Sequence, residues 1–161
     1  MGAILAIEQI SFAGDAYPES LFRLYAADRR TLFLIAISGD ATEGYIIARI
    51  DRWGAEIVSL AVRPASRQRG IGRTLLNAAV RRMLRRNAQS IRLMVHVDNR
   101  NAAAFYRRQG FRSVGRVTDY YEDGGTAIRM RLPLAQISRS EPKTNSTRNV
   151  PPPVVHDLAP R

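Results

Sequence analysis

The chain has 161 residues, 45% of them hydrophobic, which suits one globular domain with a buried core. Its 25 basic and 14 acidic residues give a net charge of +11, which favours polyanionic partners but identifies no chemistry. The absence of cysteine excludes disulfides, thiolate catalysis and cysteine-based zinc sites, and we expect no metal. No apolar stretch reaches the roughly 18–20 residues that span a bilayer, and no signal-peptide pattern is visible, so we expect a cytoplasmic protein without a membrane partner.

The first half of the chain is predicted to hold two helices and three strands. Apolar periodicity indicates helices over 2–13 and 19–27. Alternating apolar runs then indicate strands over 31–38, 43–51 and 54–62. Because short turn signals separate these strands, we predict an antiparallel meander.

The second half is predicted to alternate helices with strands. An amphipathic helix over 71–87 precedes a buried strand over 90–97 and a short helix over 101–109. Two final strands, over 111–121 and 126–133, are joined by a glycine-containing turn.

Composition changes sharply after Leu134. Five of the eight prolines lie in residues 136–161, among serine, threonine and asparagine. Apolar residues are too sparse there to offset the entropy of ordering, so we predict a folded domain over 1–135 and a disordered tail over 136–161. Docking of a partner by the proline run at 151–153 is the alternative interpretation of the tail.

A basic loop connects the third strand to the 71–87 helix. It reads Arg67-Gln68-Arg69-Gly70-Ile71-Gly72-Arg73. A helix start offers unpaired amide hydrogens and the positive end of the helix dipole, while glycines allow a close approach of backbone to anion. A dinucleotide fingerprint would need glycine at Leu75, and a P-loop would need Gly-Lys-Ser/Thr, so neither fits. The pattern predicts a pyrophosphate site, with a plain basic helix cap as the alternative.

These residues carry a family resemblance. The loop resembles the (Arg/Gln)-x-x-Gly-x-(Gly/Ala) motif with which GNAT-superfamily N-acetyltransferases bind coenzyme A. A second family block is resembled at the expected distance by Val95, Asn99, Ala102, Phe105, Tyr106, Gly110 and Phe111. The resemblance implies an α/β (α+β) fold: a mixed, mostly antiparallel sheet of six to seven strands, flanked by about four helices, with central strands splayed around the cofactor.

The resemblance also assigns the cofactor-binding residues. Acetyl-CoA is implied as co-substrate, held by the loop residues Arg67 to Arg73 and by main-chain contacts at Leu60, Ala61 and Val62. A side-chain contact is implied at Asn99, which could instead cap the following helix. Tyr106 matches the general acid that protonates the departing thiolate and also contacts the cofactor, with a plain core role as the alternative.

Two segments resemble acceptor-binding parts of N-terminal acetyltransferases. Residues 14–18, Gly-Asp-Ala-Tyr-Pro, resemble the loop between the first two helices of those enzymes. Residues 119–121, Asp-Tyr-Tyr, resemble a hairpin of the bacterial ribosomal-protein alanine N-acetyltransferases. The resemblance predicts that Asp15, Tyr17, Tyr120 and Tyr121 flank a peptide N-terminus. Core or strand packing is the alternative for Tyr17 and Tyr120.

The general base is not carried over by the resemblance, because Met94 stands where the ribosomal-protein enzymes have a glutamate. Asp15, Glu8 and His96 are the candidates; His96 shares a strand face with Met94. An α-amine with pKa near 7.7–8.0 is roughly 10–30% neutral near pH 7, whereas lysine is below about 0.1%. The loss of the glutamate therefore favours an α-amino acceptor.

We expect an N-terminal α-amino acetyltransferase acting on proteins, with a ribosomal protein as one candidate acceptor. Acetylation of lysine side chains or small amines is a second hypothesis, and a non-catalytic ribosome- or RNA-binding module is a third. The arginines Arg81, Arg82, Arg85 and Arg86 on the 71–87 helix form either a solvated face or a surface for ribosome association.

Overall fold

A computed structural model describes residues 1–52, 54–134 and 153–158 as a mixed sheet carrying four α-helices. The helices are α1 (Gly2–Phe12), α2 (Glu19–Ala27), α3 (Ile71–Arg85) and α4 (Arg100–Arg108). The strands are β1 (Thr31–Ser38), β2 (Ala41–Asp51), β3 (Gly54–Val62), β4 (Ser90–His96), β5 (Arg112–Val117), β6 (Ala127–Pro133) and β7 (Val154–Asp157). Short 3-10 helices occupy Ala13–Asp15 and Pro64–Ser66. Every predicted helix and strand is confirmed, and only the ends differ.

The strands form one seven-stranded sheet in the order β5-β6-β4-β3-β2-β1-β7. The predicted meander of β1, β2 and β3 is confirmed, and every neighbouring pair is antiparallel except β3 and β4. These two central strands are parallel and pair only at Ala55↔Ile91 and Glu56↔Arg92. Beyond those residues they diverge, which confirms the splayed sheet and leaves a gap at its centre.

Both faces of the β1–β2–β3 part of the sheet are covered, because the side chains of these strands alternate between two apolar clusters. On one face, Leu34 and Ile46 pack with residues of α3 such as Leu75 and Met83. On the opposite face, strand residues pack with α1 and α2 through Ile4, Ile7, Phe22, Phe33 and Tyr45. The two helical layers fix β1, β2 and β3 as a rigid platform beside the central gap. None of the helices in the part of the chain described here is long and apolar enough to cross a membrane.

The prediction of a disordered tail is wrong at residues 154–157, which form β7 on the outer edge of β1. Val155 packs partly against the core, and the amide of Leu158 donates to the carbonyl of Phe33 at 2.7 Å. A short segment can order here because β1 already presents a row of open backbone groups. Residues 135–152 and 159–161, including most of the proline run, lie outside the described residues.

We predict that β7 stabilises the fold through Val155 and not through Val154, which is 60% exposed. A threonine keeps the β-branched shape but adds a hydroxyl, so Val155→Thr is expected to lower the free energy of unfolding by about 1 kcal/mol. Val154→Thr is the matched control and should change it by less than about 0.5 kcal/mol. Urea unfolding of the full chain measures both, and equal effects would contradict the contact.

Candidate active site

The gap between β3 and β4 opens into a cleft of about 1070 Å³. Its walls are the diverging parts of the two strands, Ile57 to Leu60 on β3 and Leu93 to His96 on β4. The end of α1, the α1–α2 loop, the start of α4 and the β5–β6 connection complete the lining. Because the strands no longer pair with each other here, backbone groups along both walls are available to a ligand.

The cleft brings together all of the predicted catalytic and acceptor residues and two further predicted cofactor residues, although they come from six separate parts of the chain. They are Glu8, Asp15, Tyr17, Leu60, His96, Asn99, Tyr106, Tyr120 and Tyr121. Met94 also lines it, at the place left without the expected glutamate. The other predicted cofactor residues, from Ala61 to Arg73, do not line the cleft but continue from Leu60 along β3 into the start of α3.

The loop before α3 has the backbone geometry of an anion site. Gly70, the N-terminal cap of α3, has φ +84°, and Gln68 has φ +61°, so both adopt left-handed conformations. No side chain caps this helix, and the first amides of an α-helix have no acceptor within it. Arg69 and Arg73 are exposed beside these amides. The arrangement fits a pyrophosphate, which takes several amide donors and arginine charge.

Arg67 behaves differently from its neighbours in the loop. Its guanidinium donates to the Val62 carbonyl at 3.1 Å and to Ser11 Oγ at 3.3 Å. In this state Arg67 ties the loop to the end of β3 and to α1. Contact of Arg67 with a phosphate therefore remains a prediction and would require these bonds to be exchanged.

Tyr106 lies on α4 with only 8% of its surface exposed, and it faces the cleft. Its ring packs against Phe105 and Phe111 at centroid distances of 5.1 and 5.4 Å. Burial raises the pKa of Tyr106 above the ordinary value of 10, so the phenol keeps its proton. The residue is thus both a core side chain and a protonated donor at the cleft, which suits an acid and excludes a base.

Glu8 is the most buried carboxylate of the cleft, at 2% exposure. It accepts hydrogen bonds from the Tyr17 amide, at 2.9 Å, and from the Tyr45 hydroxyl. The Tyr45 hydroxyl also lies 2.9 Å from Ser59 Oγ. Burial raises the pKa of Glu8, and burial together with the bond to Glu8 raises the pKa of Tyr45. This chain of bonds fastens the acceptor loop to β2 and β3, so Glu8 holds the site together with both of its oxygens engaged in hydrogen bonds.

Each ring nitrogen of His96 faces another group of the protein. Its Nδ1 accepts from the Asp98 amide at 3.1 Å, so in the neutral imidazole the proton sits on Nε2. Nε2 is buried without a hydrogen-bond partner in the described part of the chain and lies 3.4 Å from Asp123 Oδ2. The ring packs on Tyr121 at 4.9 Å, and a side chain at Gly125 would collide with it. His96 therefore anchors the β5–β6 connection and has no open lone pair for an acceptor proton.

The predicted acceptor tyrosines surround one end of the cleft. Tyr17 and Tyr120 are exposed, which rules out their interpretation as core residues. Tyr120 and Tyr121 stack edge to face at 5.0 Å. Burial, with nearby tyrosines and carboxylates, raises the pKa of Tyr121 to about 12. Burial also raises the pKa of Tyr17, so the phenols of Tyr17 and Tyr121 keep their protons near pH 7 and can donate to a peptide backbone.

Asn99 caps α4, because its Oδ1 accepts from the Ala102 amide at 3.0 Å. This confirms the capping alternative, while its contact with a cofactor stays a prediction.

Tyr45, Ser59 and Gly125 were not among the site residues predicted from the sequence. The available signal was a polar hydroxyl inside an otherwise apolar strand run, as at Tyr45 and Ser59.

A mixed sheet with splayed central strands and an amide-rich loop before α3 defines an acetyltransferase of the GNAT class. The sequence model of the Acetyltransferase (GNAT) family matches residues 3–111. The chain belongs to this family and is an N-acetyltransferase.

Curated relatives agree with this assignment. An N-alpha-acetyltransferase of Saccharolobus solfataricus is 34% identical over 134 residues, covering 74% of this chain and 80% of the relative. N-alpha-acetyltransferase RimI of Mycobacterium tuberculosis is 35% identical over 130 residues, covering 76% and 79%.

Solved structures show the same architecture. The ribosomal-protein-S18-alanine N-acetyltransferase of Escherichia coli superposes with a TM-score of 0.75 at 26% identity, covering 91% of this chain and 92% of that one. Naa20 of Chaetomium thermophilum, in complex with a bisubstrate analogue, gives a TM-score of 0.75 at 25% identity, covering 85% and 84%.

We predict that Glu8 acts on stability in a pH-dependent way. Burial raises the pKa of Glu8 in the folded state. Its contribution to the free energy of unfolding is therefore fully present below the ordinary pKa of 4.5 and is lost as pH rises through the folded-state pKa. The difference in unfolding free energy between the wild type and Glu8→Gln should thus shrink, then reverse in favour of the variant, as pH rises from about 4 to 8.

Glu8→Ala is the companion variant, because it leaves the Tyr17 amide and the Tyr45 hydroxyl without their acceptor. It should lower the unfolding free energy by about 2 kcal/mol or more. Urea unfolding at several pH values checks both variants, and a wild-type–Glu8→Gln difference that does not change with pH would contradict the raised pKa.

Proposed function

We propose that the protein transfers the acetyl group of acetyl-CoA to the N-terminal α-amino group of a protein. The observation that carries this proposal is the cleft, whose lining is acidic and rich in tyrosine and whose β3 wall continues in sequence toward the pyrophosphate-type loop before α3. Relatives named as N-alpha-acetyltransferases support it.

Acetyl-CoA fits the chain because the backbone along β3 and the first amides of α3 form a continuous donor surface. Leu60 lies in the cleft wall, and the chain continues from it through the end of β3 and the short 3-10 helix Pro64–Ser66 to the loop at Gly70. The co-substrate supplies an activated acetyl thioester. A backbone amide of β3 beyond Glu56 is placed to stabilise the tetrahedral oxyanion.

The acceptor end favours a cation. Five carboxylates line the cleft: Glu8, Asp15, Asp98, Glu122 and Asp123. No lysine or arginine lines it among the described residues, although the whole chain carries a net charge of +11. An ammonium group is attracted to such a site, and the local field is opposite to that of the rest of the surface.

Asp15 is the base in this proposal. Glu8 is occupied by Tyr17 and Tyr45, and the His96 lone pair is occupied by the Asp98 amide. Asp15 is exposed at the end of the short 3-10 helix and faces the cleft. It takes the ammonium proton directly or through water, and an α-amine near pKa 7.7–8.0 needs only this modest help.

Tyr106 completes the reaction as the acid. The neutral amine attacks the thioester carbonyl and the C–N bond forms; the nitrogen then loses its surplus proton to water, and the C–S bond of the tetrahedral intermediate breaks. The phenol of Tyr106 gives its proton to the leaving thiolate and regains one from solvent. Acetylation of a ribosomal protein is the finer form of the proposal, because the acceptor named for the Escherichia coli neighbour is ribosomal protein S18.

The acceptor class is tested with three substrates: a peptide with a free N-terminus and no lysine, an N-blocked peptide with one lysine, and a polyamine. Because the α-amine is far more often neutral near pH 7, we expect the free-N-terminus peptide to be acetylated at least about 100-fold faster. Mass spectrometry of the products measures the ratio. Faster labelling of the lysine peptide or the polyamine would replace the proposed acceptor.

The roles of Tyr106 and Asp15 are tested by kinetics. Tyr106→Phe should lower kcat by about 100-fold without changing acetyl-CoA affinity, since only the proton donor is lost. Asp15→Asn should lower kcat/KM by about 10- to 100-fold, with the loss shrinking at high pH, where the α-amine is already neutral. Glu122→Gln, which removes a neighbouring carboxylate of the cleft, is the matched control for Asp15. Full turnover by Tyr106→Phe would exclude the acid role.

A further inference from the structure

Three arginines stand side by side across the outer strands of the sheet. In the strand register, Arg92 of β4 lies opposite Arg131 of β6, and Arg131 lies opposite Arg112 of β5. Arg129 of β6 lies two residues from Arg131, on the same face, and is the fourth member of the row; it lies opposite Met94, which lines the cleft. Residues directly opposite in antiparallel strands have Cα atoms about 4.5–5.5 Å apart, so this arginine row is compact.

The row lies on the face of the sheet opposite to α3. Along β4 and β6 its members alternate with buried residues, among them Leu93, Met130 and Leu132, which join the core packed on α3. The side chains Arg112, Arg129 and Arg131 are exposed on the other face. This part of the sheet is therefore open to solvent and lies next to the acceptor end of the cleft.

Among the residues that the structure describes, Arg92 is the one member of the row with a counter-charge. Arg92 donates to Asp51 at 2.8 Å and to Glu56 at 3.2 Å. Within the described ranges, no carboxylate pairs with Arg112, Arg129 or Arg131 at 4.0 Å or less. Like charges directly opposite each other destabilise a sheet, so the Arg131–Arg112 pair destabilises the folded protein when no ligand is bound. A polyanion bound across the row would remove that cost.

We propose that the arginine row binds the phosphate backbone of single-stranded RNA. Each guanidinium offers a planar fork that matches a phosphate group. A flat open sheet suits an extended strand laid across it, whereas reading a duplex requires an element that enters a groove. Cellular DNA is chiefly duplex, so a surface suited to one strand indicates RNA. The surface is separate from the acetyl-transfer groups and does not depend on the proposed acceptor.

The arginines of α3 differ from the row and supply a matched control. Arg82 lies 3.7 Å from Asp157 of β7, and Arg86 donates to the Arg29 carbonyl, so part of that group holds the fold together. Arg81 and Arg85 are exposed and carry the same total charge as Arg129 and Arg131. Exchanging each pair for glutamine removes two positive charges from two different places.

The test measures fluorescence anisotropy of a labelled, unstructured RNA of about 20 nucleotides with the full chain between 50 and 200 mM salt. The double variant R129Q/R131Q should weaken binding about 10-fold and reduce the slope of log K against log salt by about 1.4. R81Q/R85Q should change affinity less than about 3-fold. Equal losses in the two variants would mean that only net charge matters, which overturns the proposal.

Two further measurements compare other polyanionic ligands with the RNA and check that the variants are folded. Duplex DNA of equal length and vesicles of anionic lipid should both bind more weakly than the RNA; tighter binding of either overturns the assignment. The melting temperature of R129Q/R131Q should equal or exceed that of the wild type, since repulsion is relieved. If it falls by several degrees, the single variant Arg112→Gln replaces it, and unchanged RNA affinity there contradicts the proposal.

Discussion

The function of this protein depends on the place where two parallel strands stop pairing. β3 and β4 share only two residue pairs and then separate, so the sheet carries an opening at its centre. A break in a sheet leaves backbone donors and acceptors unsatisfied unless a ligand or water takes them. The resulting cleft is lined by the diverging strands, the α1–α2 loop, the start of α4 and the β5–β6 connection.

The buried polar groups around the cleft position its flexible parts. Glu8 holds the α1–α2 loop through the Tyr17 amide, and His96 holds the β5–β6 connection through Tyr121 and Gly125. Both residues were candidate bases on sequence grounds, yet each has its acceptor atoms engaged by the protein itself. In the proposed mechanism, proton removal is therefore assigned to Asp15 and proton delivery to Tyr106, both of which line the cleft.

The helices and strands with a regular apolar pattern could be predicted, because that pattern is local and determines which side of the element is buried. The alternation along β4 and the apolar face of α3 are local patterns, and both elements appear where expected. β7 could not be predicted, since its order comes from the open edge of β1 and not from its own four residues. The hydrogen-bond chain Glu8–Tyr45–Ser59 could not be predicted either, because Tyr45 is 37 residues from Glu8 in sequence. The loop motif identified the family, but only the register showed three arginines side by side.

In the proposed function, acetyl-CoA lies in the gap between β3 and β4 with its pyrophosphate on the first amides of α3. Amide chemical shifts of the isotopically labelled protein, recorded during titration with acetyl-CoA, test this residue by residue. We expect the largest shifts at residues 57–62 and 69–73, saturating together at one dissociation constant. Saturable shifts confined to other segments, or no shifts at millimolar acetyl-CoA, would contradict the account.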